Sequence, residues 1–173
     1  MLAPDAYVPD QWHDFFLMVG GAAAALTRLV FVALSLNLDV VVRDATHRYR
    51  AIGTMTNYAG IFVLCALALM GGQNSVAVGI EWLLVSTCAG SCMCTATYGR
   101  VPLAEVGTTW STLRTVSGTG FYVAQVVGSI VLLLGATAGL YIAAVAMVIL
   151  AGYSISGAWL LVVGAHQDGQ GRD

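Results

Sequence analysis

Five long apolar stretches constrain this chain more than anything else in it. They cover residues 15–38, 51–70, 76–97, 116–136 and 139–164, and each has the length, about 20 residues, that a helix needs to cross roughly 30 Å of hydrocarbon. A chain of 173 residues has too small a core to hide that much apolar surface in water. Charge is correspondingly scarce: 9% of residues are Asp, Glu, Lys or Arg, against about a quarter in a soluble domain. Because lipid offers the backbone no hydrogen bonds, such stretches must pair their own amides as helices. The expected fold is all-α, an integral membrane bundle of five transmembrane helices. Residues 1–166 form one transmembrane domain and 167–173 a short polar cytoplasmic tail.

The connections set the orientation. All seven basic residues are Arg. Arg43, Arg48 and Arg50 fall in the first loop, Arg100 and Arg114 in the third, and Arg172 in the tail, while the N-terminal segment and the second and fourth connections hold none. Positive residues collect on the cytoplasmic side, so the N-terminus is expected outside and the C-terminus inside, as an odd number of spans requires. The N-terminal segment carries Asp5, Asp10 and Asp14 and no Lys or Arg. It lacks the basic start of a cleavable signal peptide, and the first span reads as a retained helix. Trp12 and Tyr141 fall near the outer boundary, and Tyr98, Trp110 and Trp159 near the inner one, as interfacial aromatics do; Trp82 fits that belt less neatly. These features place the chain across a membrane, with lipid as its first partner. Arg43, His47, Arg48 and Arg50 are the candidate contacts to anionic headgroups.

The third loop has structure of its own. Pro102 suits a first helical position, and Leu103, Val106, Trp110 and Leu113 form an apolar stripe beyond it. Two readings stand: a short helix lying in the cytoplasmic interface, or an extension of the fourth span bent near Gly118 and Gly120.

Small residues crowd the spans, at Gly20 to Ala25, at Ala89 to Ser91, and at Ala143, Ala144, Gly152, Ser154, Ser156 and Gly157. Helices in lipid approach closely through such residues, so a compact bundle follows. Arg28 breaks the apolar pattern near the middle of the first span. A charge there costs from about 3 to more than 10 kcal/mol. Its helical neighbours Gly21, Ala24, Ala25, Val32 and Ser35 are mostly small, which predicts that it points into protein. Glu81, the one acidic residue embedded in a span, is its candidate counter-ion, although about 12 Å separates their depths. Gln125 and Tyr122 match Arg28 better in depth, and with Thr27 they complete the expected interior polar cluster of Arg28, Glu81, Gln125, Tyr122 and Thr27.

No catalytic chemistry is legible. Cys88 and Cys92 share a helical face while Cys94 does not, so one helix cannot offer all three thiols to one ion; Cys65 reads as a packing residue. There is no C-x-x-C redox pair, and Met70, Met93 and Met147 show no recurring spacing for Cu(I). His13, His47 and His166 lie at span ends, where no two face each other as axial haem ligands would. Walker, H-E-x-x-H and nucleophile-elbow motifs are absent. A formal charge of -2 without a basic run excludes a nucleic-acid binder. The expectation is a chain with no cofactor, no metal and no enzymatic activity.

The stretch from Phe15-Phe16 to Gly20, with Ala23-Ala24-Ala25-Leu26-Thr27 and Phe31-Val32-Ala33-Leu34-Ser35-Leu36-Asn37-Leu38, resembles the first helix of a group of small polytopic bacterial membrane proteins. Some of these are labelled modulators of a membrane protease. The resemblance covers about the first 75 residues, including the Gly-Gly-Gln turn after the second span. It implies a membrane bundle and supplies no catalytic residue; members of the group tend to have Gly where this chain has Arg28. The preferred functional expectation is a protein that acts by helix packing, as a homo-oligomer or as partner or regulator of a membrane complex. The alternatives are a small transporter or channel using Arg28, Glu81 and Gln125, and a thiol or copper redox protein.

Overall fold

The computed structural model describes the backbone of residues 9–36, 45–98 and 109–170, and the side chains of 10–36, 48, 51–92 and 119–156. Among the described residues the secondary structure is helical, with no strand. The helices are α1 (Pro9–Leu36), α2 (Ala45–Ala68), α3 (Ser75–Tyr98), α4 (Thr109–Leu133) and α5 (Ala138–Gln170). Each carries one of the five apolar stretches. The segments Asp10–Leu36, Ala51–Ala68, Ser75–Cys92 and Ala138–Ser156 are long and apolar enough to cross a membrane; α4 contributes a shorter apolar segment, Thr119–Leu133. Helices of this kind mark a membrane protein. Helix α4 begins at Thr109 and runs unbroken past Gly118 and Gly120, so Trp110 and Leu113 belong to an extension of that helix. Residues 101–108, including Pro102, lie outside the described residues. Helix α5 reaches Gln170, so the backbone of the expected polar tail is helical over 167–170.

Local chemistry fixes the two described turns. Asn74 caps α3: its Oδ1 accepts the Ala77 N–H at 2.8 Å and its carbonyl accepts the Val78 N–H at 3.1 Å, which meets two of the donors that a helix start leaves open. At the end of α4, the Ala136 N–H reaches the Val131 carbonyl and the Gly135 N–H reaches the Leu132 carbonyl. That is a Schellman stop, which needs a left-handed residue, and Gly135 supplies it with φ of 82°.

Helix α2 packs against α1, α3 and α5, and α4 lies between α3 and α5; α1 touches α5 only lightly. Three glycine contacts set these seams. A Cβ added at Gly20 of α1 would lie 2.9 Å from the Cys65 Cβ of α2. One at Gly79 of α3 would lie 2.8 Å from the Leu133 side chain of α4, and one at Gly139 of α5 would lie 2.5 Å from the Gly128 carbonyl. In each case the missing side chain is what allows the backbones to approach, and dispersion between close backbones replaces a hydrophobic drive in lipid.

Trp82 is the largest fully buried side chain among those described. Its indole N–H donates to the Leu64 carbonyl at 3.0 Å, and its ring meets Phe16 edge-on at 5.6 Å. Phe16 leads on to Trp12, and Trp12 packs against Tyr141 of α5 at 4.9 Å. Trp82 thus departs from the boundary belt because it belongs to the core. The outer surface of the bundle is apolar as well, with Leu17, Leu29, Phe31, Leu84 and Ile149 all exposed.

Candidate functional site

The polar residues buried in the bundle come from four helices. Asn57 of α2 is the junction: its Nδ2 donates to Ser154 Oγ of α5 at 3.2 Å, and its Oδ1 accepts the Tyr122 hydroxyl of α4 at 3.0 Å. One turn along α4 from Tyr122, Gln125 is completely buried. Among the described residues neither its Nε2 nor its Oε1 has a hydrogen-bond partner, and the same holds for the buried Ser86 hydroxyl of α3 and for the Tyr58 hydroxyl of α2. The Ser129 hydroxyl, one turn further on, donates to the Gln125 backbone carbonyl at 2.8 Å, leaving the Gln125 side chain untouched. No buried residue among those described carries a charge.

Of the five residues expected in one interior cluster, the structure brings Gln125 and Tyr122 together and separates the rest. Arg28 is exposed on the outside of α1, together with Gly21, Ala24, Ala25, Val32 and Ser35. The face that looked interior from its small residues is an exterior face in this chain, because it is Gly20, not Gly21, that meets α2. One residue along a helix rotates the side chain by about 100°. Arg28 has no hydrogen bond or ion pair among the described residues. Thr27, half-buried, donates to the Ala23 carbonyl of its own helix at 2.8 Å.

Glu81 does not serve as the counter-ion of Arg28. Its Oε2 accepts the Gln73 side-chain amide at 2.8 Å, at the end of α3 nearest the turn. It also points away from Gln125: the α4-facing stripe of α3 runs through Gly79 and Gly90, and Glu81 lies two residues, about 200°, from Gly79.

Of the candidate headgroup contacts, Arg48 is exposed. His47 and Arg50 lie on the first turns of α2, where their side chains are not described, and Arg43 lies outside the described residues. Cys65 is buried against α1, while Cys88 and Cys92 are exposed on α3; the Cys94 side chain is not described. Among the described residues there is no group of three or more His, Cys, Asp or Glu placed to hold a metal ion.

Asn57 and Ser86 were not singled out from the sequence, and Ser154 was read there only as a small packing residue. Single polar residues in long apolar helices are visible there, but their convergence depends on helix register, which the sequence does not print. No family model matches the chain, and no curated protein or solved structure is similar to it at a significant level.

Proposed function

We propose that this is a multi-pass protein of the bacterial inner membrane, with its N-terminus outside and its C-terminus cytoplasmic, which works by docking α1 onto another membrane-embedded chain. The carrying observation is the exposure of Arg28 on the outside of the bundle. Counting from the Gly20–Cys65 contact along antiparallel helices, Arg28 sits level with Asn57 of α2, and it lies eight residues, about 12 Å, before the end of α1 at Leu36. Helical side chains lean toward the N-terminus, so Arg28 leans away from the nearer membrane face. Bare guanidinium in lipid costs at least about 3 kcal/mol, and a carboxylate on a neighbouring helix would remove that cost.

The surrounding surface suits such a neighbour. Gly21 and Ala25, four residues apart and both exposed, give a small-x-x-x-small face on which a second helix can approach closely. A second copy of this chain does not fit, because an isologous α1–α1 contact would bring two Arg28 side chains together, and Glu81 lies at a different depth and is bonded to Gln73. The partner is therefore a different membrane protein, with an acidic residue at matching depth. Transport along Arg28, Glu81 and Gln125 has less support, since those side chains lie on separate faces.

The test is the composition of the particle extracted in native lipid nanodiscs, with a photo-crosslinker at position 25. The expected result is a cross-link to a second polypeptide that Arg28→Leu abolishes and Arg28→Lys largely keeps. A wild-type chain that is monomeric and gives no cross-link, or a complex indifferent to Arg28→Leu, overturns the reading.

A further inference from the structure

Gln125 poses a separate problem, one that does not depend on what docks at α1. A primary amide offers two N–H donors and a carbonyl with two lone pairs, and burying it without partners costs several kcal/mol in apolar surroundings. Here it is completely buried, and among the described residues no protein group reaches either end. Buried polar groups of this kind are normally satisfied, by protein or by ordered water.

The register of α3 and α4 identifies what stands opposite. Gly79 of α3 lies against Leu133 and the Ser129 carbonyl of α4, and Gly90 lies against Tyr122. Ser86 falls between the two glycines on the same stripe, as Gln125 falls between Tyr122 and Ser129. In antiparallel helices that places Ser86 level with Gln125. Its hydroxyl is also buried and also unpartnered. Two orphaned polar side chains from facing helices thus share one level of the core, with the Asn57–Tyr122 hydrogen bond one turn away.

We infer that Gln125 and Ser86 form a buried binding site for water between α3 and α4. The chemistry selects this ligand. It must both donate and accept, because the amide has unmet groups of each kind. It must be uncharged, since no buried side chain among those described could neutralise an ion. It must be small, because glycines hold the seam close on either side. One or two water molecules meet all three demands, and each can make the two to four hydrogen bonds that hold an internal water in place. The bound water then acts as a polar link between α3 and α4.

Solid-state NMR of the full chain in liposomes, with 15N-labelled glutamine, tests the site, and Gln125→Met assigns its side-chain signal. Magnetisation is expected to pass from water to the Gln125 amide at a rate at least about a tenth of that of exposed Gln11, as contact with an ordered water allows. Ser86→Ala, which conserves the fold at a small position, should lower that rate at least about twofold while leaving Gln11 unchanged. Slower transfer than this in the wild type, or a rate that Ser86→Ala does not reduce, overturns the inference.

Discussion

The Tyr122 hydroxyl donates to Asn57 Oδ1 at 3.0 Å, and through Asn57 it is linked to Ser154. One asparagine thereby ties α2, α4 and α5 inside an apolar core. Interhelical hydrogen bonds in membrane proteins contribute modestly, about 0.6 kcal/mol on average and up to about 1.7. Tyr122→Phe should therefore lower stability by about 0.5–1.5 kcal/mol. Asn57→Leu removes both bonds and strands two hydroxyls, so about 2 kcal/mol or more is expected. Unfolding in mixed micelles measures both, and the double variant should fall short of the sum because the two changes share a bond.

Gly139 is predicted to be the least replaceable glycine of the described turns and seams. A methyl there would lie 2.5 Å from both the Gly128 carbonyl and the Leu132 nitrogen. Backbone on both sides cannot step aside as a side-chain tip would, so Gly139→Ala should cost at least about 2 kcal/mol by overpacking. Gly152, further along the same helix, has open space around it. Gly152→Ala should be neutral or stabilising by up to about 1 kcal/mol. Thermal melts of the two variants give the comparison, and equal losses would remove the close-packing account of the α4–α5 seam.

Trp82 combines a buried ring with a hydrogen bond to the Leu64 carbonyl. Trp82→Phe keeps an aromatic partner for Phe16 but loses the indole donor and leaves a gap, for an expected loss of about 1–3 kcal/mol. In the wild type the emission that disappears with this substitution should be blue-shifted relative to the remaining tryptophans and insensitive to aqueous quenchers.

Cysteine exposure offers a check on how α3 is rotated. Cys88 and Cys92 lie on the outer surface while Cys65 is buried against Gly20. A lipid-soluble maleimide, followed by peptide mass spectrometry, should modify Cys88 and Cys92 in the folded protein and reach Cys65 only after denaturation. Early labelling of Cys65 would mean that the α1–α2 seam is not closed.

Orientation is open to the same chemistry with a membrane-impermeant reagent. In a chain whose native cysteines are replaced by Ala or Ser, single cysteines at positions 47 and 167 should react from the cytoplasmic side and one at position 13 from the other, as the distribution of Arg requires. Positions 47 and 167 reacting from opposite sides would eliminate the five-span arrangement.

Helix number and placement were legible before any coordinates, because a run of about 20 apolar residues is a local property. The Gly-Gly-Gln turn before α3 was legible for a similar reason, with Asn74 beside it acting through its own backbone neighbourhood; the other turn was not, since Gly135 falls inside the expected 116–136 stretch yet stops α4 at Leu133. The length of α4 was half legible, since the stripe through Trp110 and Leu113 suits an interfacial helix as well as an extension.

The side chains that face inward were a different matter. In a soluble helix the polar face identifies the exterior. Here the exterior is apolar too, with Leu17, Leu29, Phe31 and Ile149 exposed, so sequence periodicity no longer separates inside from outside. Small residues then become the only guide, and on α1 they run through consecutive positions from Gly20 to Ala25, around more than half of the helix circumference. Choosing Gly21 in place of Gly20 as the contact turns Arg28 from core to surface.

By itself, then, the sequence determined five helices and their approximate places along the chain, because each depends on local apolar length. Only the tertiary structure decided which faces meet. It set Arg28 outside, bonded Glu81 to Gln73, and brought Asn57, Tyr122 and Ser154 into one chain of hydrogen bonds beside Gln125 and Ser86. Those outcomes depend on helix rotation and register, which close glycine contacts between different helices fix and which no single helix encodes.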